Sequence, residues 1–326
     1  MKIVQCLLAA AAASLTISTA LFSADAGAQE ISFGIISTDS SSVLKQNWAP
    51  LIADMEKATG LTVDPFFATD YSGVIEGMRF NKVQLAWYGN KSAIEAVDRA
   101  DGEVFAQVVY TGGSVGYNSL LITNINSPYK TLDDVLKNGS KINFGIGDPE
   151  STSGTLVPAY YIFAKNNINP QTFFKTLRSS NHESNLLATI NNQLDVATVN
   201  TDVLDKLKAD HPEKAAQVRV LWTSPLIPSD PLVWRKDLPQ ATKTKLRDFF
   251  LNYGNTQHGR DVLFAIYKWS GFRASSDAQL DSVRQLSLFQ SKLKLQSDDH
   301  LDPEQKKTQI AQIDAQLAAL AKTGAQ

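Results

Sequence analysis

The chain has 326 residues, a formal net charge of −2, 43 % hydrophobic and 20 % charged side chains, and one cysteine, Cys6. Near-balanced charge without a Lys/Arg cluster argues against a nucleic-acid or polyphosphate surface, which needs basic patches. A single cysteine rules out an internal disulfide, and its N-terminal position leaves the rest of the chain without a thiol nucleophile or thiolate metal site.

Lys2 precedes an alanine-rich apolar run over 7–21, followed by Ala26-Gly27-Ala28 before Gln29. That pattern predicts a secretory signal peptide (1–28) cut after Ala28. No later segment approaches the ~20 apolar residues of a membrane helix, so an exported, soluble protein is expected. Residues 31–36 read as a strand ending at Ser37-Thr38-Asp39-Ser40, which can cap a helix carrying Leu44, Trp48, Leu51, Ile52 and Met55. Pro50 predicts that this helix is kinked or starts later, and Gly60 ends it. Strands follow at 62–67 and 83–87, with helices at 73–80 and 92–99. Strands at 105–110 and 119–123 flank a glycine-rich segment from Gly112 to Tyr117. A helix at 132–136 and a strand at 142–146 lead to Gly147-Asp148-Pro149-Glu150-Ser151-Thr152-Ser153-Gly154, and then to a helix over 156–165. A helix at 184–192, strand at 196–199, helix at 201–208 and strand at 218–223 come next. Pro225 to Pro231 forms a rigid loop, and helices dominate from Gln240 onward.

Alternating strands and helices imply α/β layers over a largely parallel sheet. The length is natural for two lobes of about 100–150 residues each. The chain is expected to build lobe 1 from 29–118 and 231–298 and lobe 2 from 119–230, crossing a hinge near 119–124 and 225–231. Two crossings leave a cleft that closes over a ligand. The tail, 299–326, carries an amphipathic helix with Ile310, Ile313, Leu317 and Leu320 on one stripe. Packing on its own lobe and pairing in a homodimer both account for that stripe.

The hydroxyl run Ser151-Thr152-Ser153 sits where a strand hands over to a helix. The first N–H groups of a helix lack intrahelical acceptors and carry partial positive charge. Rimmed with hydroxyls, such an end can hold an oxyanion without a basic side chain. Capping needs only one of the three residues.

Phe33-Gly-Ile-Ile-Ser-Thr38, Met78-Arg-Phe-Asn-Lys-Val83, Ala86-Trp-Tyr-Gly-Asn90, Ser151-Thr-Ser-Gly154 and Phe272-Arg-Ala-Ser-Ser-Asp277 resemble the phosphonate-binding proteins of bacterial phosphonate ABC importers. The resemblance covers nearly the whole chain after residue 28 and fades over the last thirty or so residues. It implies a type II periplasmic binding fold in the periplasm, a membrane ABC permease as partner, and 2-aminoethylphosphonate or a related alkylphosphonate as cargo. It also implies roles for residues. Ser151, Thr152, Ser153 and His182 would meet the phosphonate oxygens, with Tyr71 and Tyr117 lining the cleft. Asp230 and Asp202 would face the ammonium, and Asp202 stands where the family pattern has a glutamate, one methylene longer.

The residues have their own chemistry. Asp202 opens a helix and Asp230 lies between Pro228 and Pro231, so capping and an Asx turn also explain them. As a pair they would favour a zwitterion over a bare oxyanion. Phosphate, phosphite or an amine-free alkylphosphonate is the alternative cargo. A hydrolase of the same fold would need Ser151 or Ser153 with His182 and Asp202, but no Gly-x-Ser-x-Gly turn supports it. His211, His258 and His300 are scattered, without metal-ligand spacing, and no cofactor or metal is expected.

Overall fold

In the computed structural model the described residues are 29–298 and 300–323; the expected signal peptide, its cut site and Cys6 lie outside them. The first lobe begins with β1 (Glu30–Ile35), α1 (Ser41–Thr59), β2 (Thr62–Phe67), α2 (Tyr71–Arg79), β3 (Leu85–Trp87), α3 (Asn90–Arg99) and β4 (Gly102–Tyr110). Strand β5 (Gly116–Tyr117) leads out to β6 (Ser119–Asn124), α4 (Leu132–Asn138), β7 (Asn143–Ile146), α5 (Pro170–Phe173) and β8 (Thr176–Ser179). The second lobe continues through α6 (His182–Ile190), β9 (Val196–Asn200), α7 (Thr201–Asp210), α8 (Pro212–Ala215) and β10 (Val218–Thr223). Strand β11 (Ile227–Pro228) leads back to β12 (Pro231–Arg235), α9 (Gln240–Tyr253), α10 (Gln257–Tyr267), β13 (Trp269–Ala274), α11 (Asp281–Gln296) and α12 (Pro303–Thr323).

The larger sheet has the order β13-β4-β12-β3-β1-β2 and the smaller β10-β6-β9-β7-β8. Strands β1, β2 and β3 run parallel, as do β7, β8 and β9. The others pair antiparallel, so the sheets are mixed, correcting the largely parallel expectation. The cause is the crossing: β12, which re-enters the larger sheet, and β6, which enters the smaller, run against the βα units, as does β13, while β4 and β10 keep the direction of those units. The crossing segments themselves are β5 and β11, paired antiparallel through Tyr117 and Ile227. Residues 119–124, expected at the outgoing crossing, already belong to the smaller sheet.

Helix α1 starts at Ser41 and continues through Pro50, so the later start allowed by the sequence is not found. Leu44, Trp48, Leu51, Ile52 and Met55 are buried while Pro50 and Gln46 face outward. The carbonyl that Pro50 leaves without a donor therefore reaches water. Trp48 packs at 5.3 Å from Trp87 and 5.7 Å from Trp269 between ring centroids, a large apolar contribution that fixes the end of β3. In the tail, α12 folds back along α11, with Lys292 paired to Asp314 at 2.5 Å. Ile313 is buried and Ile310, Leu317 and Leu320 are half-buried, so a second copy is not needed to cover Ile313.

Candidate functional site

The parallel strands of both lobes point their C-terminal ends at one small, tightly closed cavity, the usual ligand position in such sheets. All eight residues singled out from the sequence line it: Tyr71, Tyr117, Ser151, Thr152, Ser153, His182, Asp202 and Asp230. No Lys or Arg is among its lining residues.

At one end the helix starts earlier than expected, at Thr152, as a π-helical turn capped by Ser151, whose Oγ accepts the Gly154 N–H at 3.0 Å. Pro158 explains the wide turn. Lacking an N–H, it leaves carbonyls of the preceding turn without intrahelical donors. The Ser153 carbonyl accepts from Ser119 Oγ at 2.6 Å, and the Gly154 carbonyl accepts from Thr198 Oγ1 at 2.7 Å and Gly147 N at 2.9 Å. The hydroxyl run is thereby bolted to β6, β7 and β9. His182 is the first residue of α6, not a residue preceding the helix. Its Nε2 lies 3.3 Å from Ser151 Oγ and 3.4 Å from Ser153 Oγ, while the buried Nδ1 has no partner among the described residues. Helix α2 starts two residues before the expected 73, so that Tyr71 opens it, because Asp70 caps that helix.

Asp202, 7 % exposed, accepts from Tyr110 Oη at 2.9 Å. Asp230, 5 % exposed, faces the Tyr117 hydroxyl, and its Oδ1 has no partner among the described residues. Gly89 is wedged between the ends: a Cβ there would lie 3.3 Å from Thr152 Oγ1 and 3.9 Å from Asp230 Oδ1. Thr152 Oγ1 and Asp230 Oδ1 thus lie no more than about 7 Å apart. Burial pushes Asp202 up to about 7 and Asp230 well above the usual carboxylate range.

The lobes are closed on each other. Thr152 Oγ1 accepts the Lys91 N–H at 2.8 Å, and Asp148 Oδ2 accepts the Tyr71 N–H at 3.2 Å. The α1 N-cap, Ser40, makes no side-chain cap bond. Glu183 of the other lobe supplies the acceptor instead, at 2.7 Å from the Ser40 N–H, so closure itself caps α1. Sequence reasoning missed Tyr110 and read Thr38 and Asp39 only as capping residues. It also missed Tyr267, which comes from α10.

These acids set a pH dependence. Asp39 is likewise pushed up to about 7 by burial. A carboxyl raised in the folded state stabilises below its unfolded value of about 4, and that contribution is lost as pH rises through about 7. His182, pushed down to about 4 by burial, acts in the opposite sense only below its unfolded value of about 6.5. Ligand-free protein is therefore expected to melt at lower temperature at about pH 8 than at about pH 6.5. Scanning calorimetry across that interval measures it, and a rising melting temperature would contradict the burial of ionising acids.

Residues 33–280 match the family model described as "ABC transporter, phosphonate, periplasmic substrate-binding protein". The phosphonates-binding periplasmic protein of Escherichia coli is 53 % identical over 304 residues, 93 % of this chain and 89 % of that one. A phosphate-import protein of Mycolicibacterium smegmatis is 29 % identical, covering 70 % and 73 %. Among solved structures, a binding protein component of an ABC phosphonate transporter from Pseudomonas aeruginosa has a TM-score of 0.88 at 51 % identity, covering 91 % of this chain and 98 % of that chain. A Prochlorococcus marinus protein in complex with methylphosphonate shares the fold, with a TM-score of 0.68 at 19 % identity and coverage of 79 % and 97 %.

Proposed function

Since the chain belongs to the family of periplasmic substrate-binding proteins of phosphonate ABC transporters, we propose 2-aminoethylphosphonate as its preferred cargo. It is the phosphonate-binding component of an ABC importer, a carrier rather than an enzyme. In this reading Ser151, Thr152, Ser153, His182 and Tyr71 hold the phosphonate, and Asp202, Asp230 and Tyr117 hold the ammonium. A signal peptide cut after Ala28 directs export to the periplasm, and the closed, loaded form is what the membrane permease engages.

The observation that carries the choice of cargo is the pair of buried acids that line, with no Lys or Arg, the same cavity as the hydroxyl and imidazole cluster. Buried carboxylates need a partner charge or a proton. A primary ammonium on a two-carbon arm supplies the charge, while the phosphonate takes hydrogen bonds worth about 1.5–3 kcal/mol each when charge-assisted. Inorganic phosphate, the cargo in the name of the mycobacterial relative, brings no such cation.

Calorimetric titration of ligand-stripped protein with 2-aminoethylphosphonate, ethylphosphonate and phosphate tests this. The amine-bearing ligand is expected to bind at least about tenfold more tightly than ethylphosphonate, a difference of about 1.4 kcal/mol. Equal binding of all three would leave an oxyanion site with no use for the acids.

A further inference from the structure

Behind the wall of the cleft stands an acid that neither end of the proposed ligand uses. Asp39, between β1 and α1, is 3 % exposed, and its Oδ1 has no hydrogen-bond partner among the described residues. Its Oδ2 lies 2.5 Å from the Tyr267 hydroxyl, which is itself 2.7 Å from Thr38 Oγ1. Thr38 and Tyr267 line the cavity. The Thr38 carbonyl accepts the N–H of Glu183 at 3.3 Å, next in sequence to His182, so Thr38 stands beside the hydroxyl and imidazole cluster.

Proton counting decides what Thr38 can offer. Threonine and tyrosine hydroxyls each carry one hydrogen, and an ionised carboxylate carries none. With Asp39 ionised, Tyr267 donates to Asp39 and Thr38 donates to Tyr267. Thr38 then turns only lone pairs toward the cavity, which repel an anion. With Asp39 protonated, Asp39 donates to the Tyr267 oxygen, Tyr267 donates to Thr38, and the Thr38 hydrogen is free to enter the cavity. The relay has two states, and one proton separates them.

Resting on the reading of this cleft as an oxyanion site, we propose that Thr38 is an additional contact to the phosphonate, switched from acceptor to donor through Tyr267 when Asp39 takes a proton from solvent as the anion binds. The surroundings of Asp39 suit this exchange. Glu183 from α6 opposes its ionisation and Lys206 from α7 favours it, while Asp202 of α7 and Tyr71 of α2 interact with it at longer range. Burial outweighs them and pushes Asp39 up to about 7, where the exchange costs little.

The test is proton uptake on binding 2-aminoethylphosphonate at about pH 8, read by calorimetry in two buffers of different ionisation enthalpy. In Asp39→Asn the amide N–H can donate to Tyr267 without taking up a proton, so the donor state of the relay is open at every pH. That variant is expected to take up about one proton fewer than wild type and to bind several-fold more tightly at this pH. Proton uptake by His182 is common to both proteins and cancels in the difference. Thr38→Val is expected to weaken binding about tenfold, or about 1.4 kcal/mol. Equal proton uptake by wild type and Asp39→Asn, or full affinity in Thr38→Val, overturns the relay while leaving the cleft assignment intact. Wild-type protein that binds no phosphonate overturns both.

Discussion

Replacing Asp230 by asparagine is expected to weaken 2-aminoethylphosphonate binding about a hundredfold, some 2.7 kcal/mol, while ethylphosphonate binds at least as well as before. Asp230 is buried, and its Oδ1 has no partner among the described residues. Asp202 acts on it electrostatically, and burial raises it far above the ordinary carboxylate range. In the empty closed cleft burial favours the protonated form of such a group. An ammonium placed against it changes the balance, because the ion pair forms where little water competes. Truncating one partner of a buried, hydrogen-bonded charge pair typically costs 2–5 kcal/mol. Asparagine keeps the size and a carbonyl oxygen but removes the charge.

Ethylphosphonate reverses the sign of the effect. It has no cation, so wild-type protein must keep Asp230 protonated to hold it, and that becomes harder as pH rises. The amide carries no such requirement. Parallel titrations of the variant with both ligands at about pH 8 should therefore show the tenfold preference of wild type disappearing or inverting. If both ligands weaken by the same factor, Asp230 acts by shaping the loop between β11 and β12 and does not meet the amine.

The elements that local pattern controls were legible in the sequence. Strand β1, helix α3 and the junction after β7 each combine an apolar period with a cap or a turn residue. The hydroxyl run was legible because three hydroxyls at a strand–helix junction exceed what one cap requires. Strand β12 was hidden because Pro231-Leu232-Val233-Trp234-Arg235 is buried on both faces and has no alternation. Strand β13 was obscured by Gly271 and a break in register beside it. The relay around Asp39 depends on Tyr267, 228 positions away, and no local signal places α10 against the start of α1. Pro158 was the overlooked clue to the π turn: a proline four residues after Gly154 predicts a free carbonyl there, available to neighbouring strands. Gly89 carried a similar message, since a side chain at that position would intrude on the line between Thr152 and Asp230.

Gly147→Ala is expected to abolish measurable binding of every phosphonate, with losses of a hundredfold or more, about 2.7 kcal/mol at least. The reason is geometric. An alanine Cβ at this position would sit 2.5 Å from Gly154 Cα, 2.7 Å from Gly154 C and 3.0 Å from Gly154 O. All three are backbone atoms, so no side-chain rotation can relieve the overlap. The end of β7 must part from the start of the π turn, which breaks the 2.9 Å bond from Gly147 N–H to the Gly154 carbonyl. Ser151, Thr152 and Ser153 ride on that turn, and Ser151 and Ser153 also meet His182, so the whole oxyanion end moves together. Overpacking of this kind costs about 1–3 kcal/mol of stability, which leaves most of a domain's 5–15 kcal/mol in place. Circular dichroism should therefore still report a folded chain. The contrast with Asp230→Asn separates the two ends of the cleft: damage at the hydroxyl turn removes amine-bearing and amine-free ligands alike, whereas damage at the acid weakens only the amine-bearing one. Near-normal affinity in Gly147→Ala would mean that the phosphonate is held elsewhere than at the start of this helix.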